Sequence, residues 1–203
     1  MDRIARAGLI AVMLAGVAAT QDKGGDPLYA QNTALGIEIR APRSPGKDQL
    51  WVADAKQGKF YGDAVSVSHK VDNFAVDAYT QRLSDPMREK WPDKIQEIAK
   101  NVREGFKKEK KDGSPSDWKE VRVVEEDPKA KLPSLSGKCC SHKLALIDAK
   151  DNKKEIIQYF CIASEVLYVV TVTYDAEGYK KYWAREGQAI LASIKRSKYE
   201  KPK

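Results

Sequence analysis

Apolar and β-branched side chains fill residues 156–174 with few interruptions, and the hydrophobic spacing then becomes that of a helix. Val166, Tyr168, Val170, Val172 and Tyr174 form one face of a strand, and Leu167, Val169, Thr171 and Thr173 form the other. This predicts a central strand with the core on one face and at least partial cover on the other. Asp175 stands where an N-cap would satisfy the free donors of a following helix. In that helix Tyr179, Tyr182, Trp183, Gly187, Ile190, Leu191 and Ile194 form one apolar stripe, while Lys180, Lys181, Arg185 and Glu186 face water. A helix-interior Gly costs roughly 1 kcal/mol relative to Ala, so Gly187 predicts a close approach between helix and sheet.

Earlier in the chain, Leu35–Ala41 alternates Ile37 and Ile39 against Glu38 and Arg40, which predicts a strand ended by Pro42. Leu50–Ala53 is a short strand candidate, and Gly58–Gly62 a turn. Val65, Val67, His69 and Val71 point one way along Ala64–Val71, which predicts another strand. Asn73 is placed as the N-cap of a helix carrying Phe74, Val76, Tyr79 and Leu83, ended by Pro86. A second helix starts at Trp91-Pro92, carries Ile95, Ile98, Ala99, Val102 and Phe106, and runs to Asp112-Gly113. Trp118–Glu126 predicts a strand with Val121 and Val123 on one face. Residues 127–137 hold two prolines and a glycine and read as a surface loop. Lys138–Ile147 and Glu155–Ala163 predict a hairpin around 148–154. This order, with late strands in succession, argues for α+β with an antiparallel sheet.

The layout resembles the PsbP-like fold group. The resemblance rests on an opening strand ending in Pro (GIEIRAP), a strand leading into a predicted helix (AVSVSHKVDNFAVDAYTQRL) and a Gly-led strand (SGKCCSHKLALID). A Tyr-rich strand (YVVTVTY) and a closing helix ending ILASIKR complete it. It covers most of Leu35–Arg196 and implies an α/β/α sandwich, an antiparallel sheet flanked by helices on both sides. Members of this group act mainly as binding or assembly partners, and the fold alone fixes no function.

The N-terminus refines the domain plan. Arg3 and Arg6 precede an apolar run, Ala7–Val17, and small residues follow at Val17-Ala18-Ala19. This is the pattern of an export signal over 1–19, too short for a span of about 20 residues. Residues 20–33 read as a disordered leader, 34–197 as a single α+β domain, and 198–203 as a flexible tail. Export predicts a periplasmic or extracellular protein without stable membrane insertion once the signal is removed. The formal net charge is +7, but it is spread out. Its one dense run, Lys107–Lys111, lies where cations complement a helix end, so no nucleic-acid partner is expected.

Cys139, Cys140 and Cys161 carry the most informative side-chain chemistry. An oxidising compartment favours pairing. A turn centred between Lys150 and Asp151 places Cys140 opposite Cys161, and a one-residue register shift substitutes Cys139, leaving one odd thiol either way. A metal alternative would gather Cys140, His142 and Cys161, although the usual zinc spacings are missing. His69 reads as a packed histidine near a strand end, with no Ser, Cys or carboxylate partner signalled nearby. No phosphate loop, nucleophile elbow or HExxH motif is present, so neither a catalytic residue nor a cofactor is assigned. Trp51 and Trp118 border loops and are candidates for a partner surface. The expectation is an exported, non-catalytic, monomeric domain that binds or assembles with an envelope protein. Its alternative is a small-ligand or metal-binding domain built on the hairpin.

Overall fold

The structure is a computed structural model that describes residues 28–32, 35–44, 49–55, 64–82, 91–107, 116–163 and 165–197. The expected export signal, most of the leader, the Gly58–Gly62 turn, Leu83, Pro86 and the tail lie outside these residues. The architecture is mainly antiparallel β-sheet with few helices. β1 (Tyr29–Asn32), β2 (Ile37–Arg40) and β10 (Lys195–Arg196) form a three-stranded sheet. The main sheet has seven strands in the order β3-β4-β5-β9-β8-β7-β6. These are β3 (Trp51–Asp54), β4 (Val65–His69), β5 (Phe74–Arg82), β6 (Trp118–Asp127), β7 (Lys138–Asp148), β8 (Lys153–Ala163) and β9 (Val166–Tyr174).

β9 is the central strand that its two apolar faces predict, and all nine of its residues are buried between β5 and β8. Its even positions join a core with Val65, Val67, Phe74, Val76, Ile37, Ile39, Ile190 and Ile194. We call this side face A. On the opposite side, face B, Leu167 and Val169 pack with Phe160, Cys140, Ile95 and Ala99. Burying each such Leu, Ile or Phe side chain is worth about 1.5–3 kcal/mol, so the sheet is held from both sides.

The helix predicted from Asn73 is instead β5. Phe74, Val76 and Ala78 are buried at every second position, and nine residues pair in continuous register with β9. The apolar residues of this stretch fit both a 3.6 and a 2.0 period. Partners on both sides, β4 and β9, decide for the strand. The second helix is real: a 3₁₀ turn at Trp91–Lys94 leads into α1 (Ile95–Gly105), which ends before the expected Asp112-Gly113. The stretch read as leader also contains β1, which pairs with β2 from Tyr29 to Asn32.

The C-terminal helix begins as foreseen, with the Asp175 carboxylate accepting from the Gly178 N–H at 2.7 Å. It is not continuous: α2 (Ala176–Tyr182) passes through a π-helical turn at Trp183–Gly187 into α3 (Gln188–Ser193). A Cβ on Gly187 would lie 3.0 Å from the Phe74 ring and 3.2 Å from that of Trp183. That is the close approach expected there. The helices form two short, offset patches rather than full layers. On face B α1 packs on β7 and β8, whereas α2 packs on β5 and β9 and α3 on β2. The outer half of face A, over β6, β7 and β8, has no helix packed on it among the described residues.

Candidate functional site

The hairpin register settles the cysteines. β7 and β8 pair with Cys139 opposite Cys161, and these two form the disulfide. The turn is centred one half-residue before the position expected, which exchanges Cys140 for Cys139. Side chains alternate across a strand, so Cys140 and His142 lie on face B, away from the disulfide. The three-ligand set Cys140, His142 and Cys161 therefore does not converge, because Cys161 is bonded on the opposite face. Among the described residues no group of three or more His, Cys, Asp or Glu could hold a metal ion.

Cys140 is a buried free thiol packed under α1. Burial, reinforced by the charges of Glu126 and Asp127, pushes its pKa up to about 11. That is the opposite of an activated nucleophile. His142 is 2% exposed, and its Nε2 lies 2.8 Å from Gln158 Oε1. Gln158 in turn donates to the Thr171 hydroxyl at 3.1 Å. Burial holds the His142 pKa below its usual value, so a neutral imidazole joins a structural row across the sheet.

Trp51 is not a surface residue. It is 3% exposed and stands edge-on to His69, Phe74 and Tyr182 at ring distances of 5.0, 5.9 and 5.1 Å. His69 is buried at a strand end as expected, but it does have partners. Its Nδ1 accepts from the Asp72 N–H at 3.0 Å, so the ring proton belongs on Nε2, 3.2 Å from the Tyr182 oxygen. The Tyr182 hydroxyl donates to the Asp72 carboxylate, which also pairs with Lys181 at 2.9 Å. These bonds hold Asp72 well below the usual carboxylate range. The result ties the β4–β5 turn to the start of the C-terminal helices. Asp72, three residues after His69, was the signal available in the sequence.

Trp118 is half-buried and lines a cleft of about 460 Å³ at the end of the sheet, with Ser68, Asn73, Asn152, Lys154 and Thr173. The carboxylates there are already engaged. Asp148 accepts from the N–H groups of Lys150 and Asn152 at 2.8 and 2.9 Å, Asp175 caps α2, and Asp72 is held as described. The cleft thus has no uncommitted acid–base pair.

The open half of face A differs. Following the registers outward from β9, one row reads Val170, Tyr159, Ser141, Asp127, and the next Val172, Ile157, Lys143, Glu125. Ser141, Lys143, Ala145, Ile147 and Tyr159 are all partly buried. Its inner wall is an aromatic ladder: Tyr174 and Tyr179 lie 4.6 Å apart, and Tyr179 stacks on Trp183 at 5.5 Å. The Lys143 ammonium lies 5.7 Å and 5.3 Å from the Tyr174 and Tyr179 ring centroids and 3.0 Å from Glu155. Burial, Tyr179 and the charges of Asp127 and Glu125 raise the Tyr159 pKa. The outer margin is β6, an edge strand with Val123 and Val124 exposed. Its register shifts between Trp118 and Glu120 and again between Val123 and Glu125. Such bulges, with the charges of β6, protect an edge from indiscriminate strand pairing.

Neither a protein-family model nor a curated protein matches the chain. Among solved structures it is similar to the solution structure of cyanobacterial PsbP (CyanoP) from Synechocystis sp. PCC 6803, at 11% identity and a TM-score of 0.49. That match covers 86% of this chain and 95% of the other. A protein from Bacteroides thetaiotaomicron is similar at 12% identity and a TM-score of 0.43, over 83% of this chain and 47% of its own. A Pseudomonas aeruginosa protein of unknown function is similar at 8% identity and a TM-score of 0.40, over 78% and 91% of the two chains. The PsbP-like layout read from the sequence thus has a cyanobacterial PsbP among the structures to which this chain is similar.

Proposed function

We propose that this chain is an exported, non-catalytic domain that docks on another protein of the cell envelope through the open half of face A. The observation that carries this reading is the partly buried surface of Lys143, Ala145, Ile147 and Tyr159 over β7 and β8, which no helix covers among the described residues. Aromatic and aliphatic groups set among polar ones are the composition of recognition surfaces. Two features support the wider reading. The Cys139–Cys161 bond suits an oxidising compartment, as does the export pattern at Met1–Ala19. Both histidines are buried in structural hydrogen bonds, which leaves them poorly placed for acid–base work. No helix among the described residues is long and apolar enough to cross a membrane.

The test is site-specific photocrosslinking in cells. A photoreactive residue at Ala145, on the open face, should give one discrete adduct. The same residue at Glu97, on α1, should not. Absence of an adduct at Ala145, or the same adducts from both positions, would reject the proposal.

A further inference from the structure

We infer that the cleft beside Trp118 binds a neutral sugar, a pyranose ring carrying several hydroxyl groups. Its volume of about 460 Å³ falls in the range of small-molecule sites, about 300–1,000 Å³. The floor is built from short side chains on face B: Ser68, Ala75 and Thr173 pair in one register row across β4, β5 and β9. Trp118 of β6 walls one side.

The hydrogen-bonding groups select the ligand. The amide nitrogens of Asn73 and Asn152 donate to Asp175 at 3.1 Å and to Asp148 at 2.9 Å. Both amides are thereby oriented, and both Oδ1 atoms remain acceptors without a partner among the described residues. The Thr173 hydroxyl, on the floor, also has none, and a buried hydroxyl left unpaired is costly. Lys153 and Lys154 add ammonium donors. A sugar hydroxyl both donates and accepts, so it matches each of these groups. Charge argues against an ion. Asp72, Asp148 and Asp175 balance Lys153, Lys154 and Lys181, the last of which pairs with Asp72. The Trp118 ring already has the Lys154 ammonium 6.0 Å from its centroid, so it does not call for a second cation. A half-buried indole instead suits the apolar C–H face of a sugar ring, whose edge then carries the hydroxyls to the polar groups.

The experiment titrates the intact, isotopically labelled chain with methyl glucoside, methyl galactoside, methyl mannoside and N-acetylglucosamine, followed by NMR shifts. At least one sugar should shift the Trp118 indole signal and the Asn73 and Thr173 amides saturably. Thr173→Val, which keeps the shape of the side chain, should weaken that binding about 3-fold or more, and Trp118→Leu about 10-fold. Glu97→Gln, on α1, should leave it unchanged. Failure of all four sugars to shift these signals would overturn the inference. So would shifts confined to other residues, or undiminished binding in both cleft variants. Saturation of the cleft by inorganic phosphate or ethylammonium but by none of the sugars would show an ionic ligand and overturn it as well. Crosslinking at Ala145 reads face A, so neither experiment decides the other.

Discussion

Cys139 faces Cys161 across β7 and β8 with their Cα atoms 4.1 Å apart, while the adjacent Cys140 points through the sheet beneath α1. One residue of alternation separates a disulfide from a buried thiol. Intact mass with thiol labelling should therefore show one disulfide and one thiol. The Cys140 thiol, with its pKa near 11, should stay unlabelled near neutral pH until the chain is denatured. Replacing both Cys139 and Cys161 by Ala should lower stability by about 3 kcal/mol, the usual effect of opening a loop of this length. Fast labelling of native protein would contradict the placement of Cys140.

A hydroxyl buried without a partner predicts a gain. The Thr173 Oγ1 has no hydrogen-bond partner among the described residues, and Thr173 is 3% exposed. Thr173→Val keeps the shape and removes the desolvated group, so stability should rise by about 1 kcal/mol or stay level. Urea unfolding is the measurement. A loss of more than about 1 kcal/mol would show that the hydroxyl is paired.

Two glycines should respond in opposite directions to one substitution. A Cβ at Gly137 would sit 2.2 Å from the Ile162 carbonyl oxygen, so Gly137→Ala must push β7 from β8 beside the disulfide. Overpacking of this kind costs about 1–3 kcal/mol. A Cβ at Gly105, at the end of α1, meets nothing within 4 Å. Gly105→Ala should stabilise by about 0.4–1 kcal/mol through the unfolded chain. Thermal melts of the pair provide the check.

The sequence carried the central strand β9, the β7–β8 hairpin, α1 and the Asp175 cap, because periodicity and capping are local. It did not carry β5. Phe74, Val76 and Tyr79 fit a helix equally well, and only the flanking strands β4 and β9 decide between the periods. The disulfide partner hung on half a residue of turn position. Trp51 was read from its neighbouring loops, but the rings of Phe74 and Tyr182, distant in the chain, enclose it. Tyr159, Tyr179 and Trp183 gave no local sign of forming one surface. What brings them together is the packing of the C-terminal helices on the same face as Tyr159, where all three lie partly buried against the core.

The two histidines predict how stability depends on pH. Burial lowers the pKa of His69 and His142 below the unfolded value of about 6.5. A lowered pKa means the unfolded chain takes up these protons first. Their contribution is therefore complete above about pH 6.5 and declines as the pH falls toward the folded-state values. Around His69, Asp72 favours its protonation while Lys181 opposes it. Around His142, Gln158 and Glu126 favour it and Arg103 opposes it. Asp72 adds a later loss, because its own pKa is lowered by Tyr182 and Lys181. That loss begins only as the pH falls below the usual carboxylate range of about 4. Melting temperatures followed from pH 8 to 5 (set points about 0.5 apart) should therefore fall below pH 6.5. His142→Gln should flatten that decline while keeping a side chain able to hydrogen-bond Gln158. A melting temperature that rises on acidification over this range would mean the imidazoles gain protons on folding. That outcome would mean that the carboxylates, Asp72 at His69 and Glu126 at His142, outweigh burial.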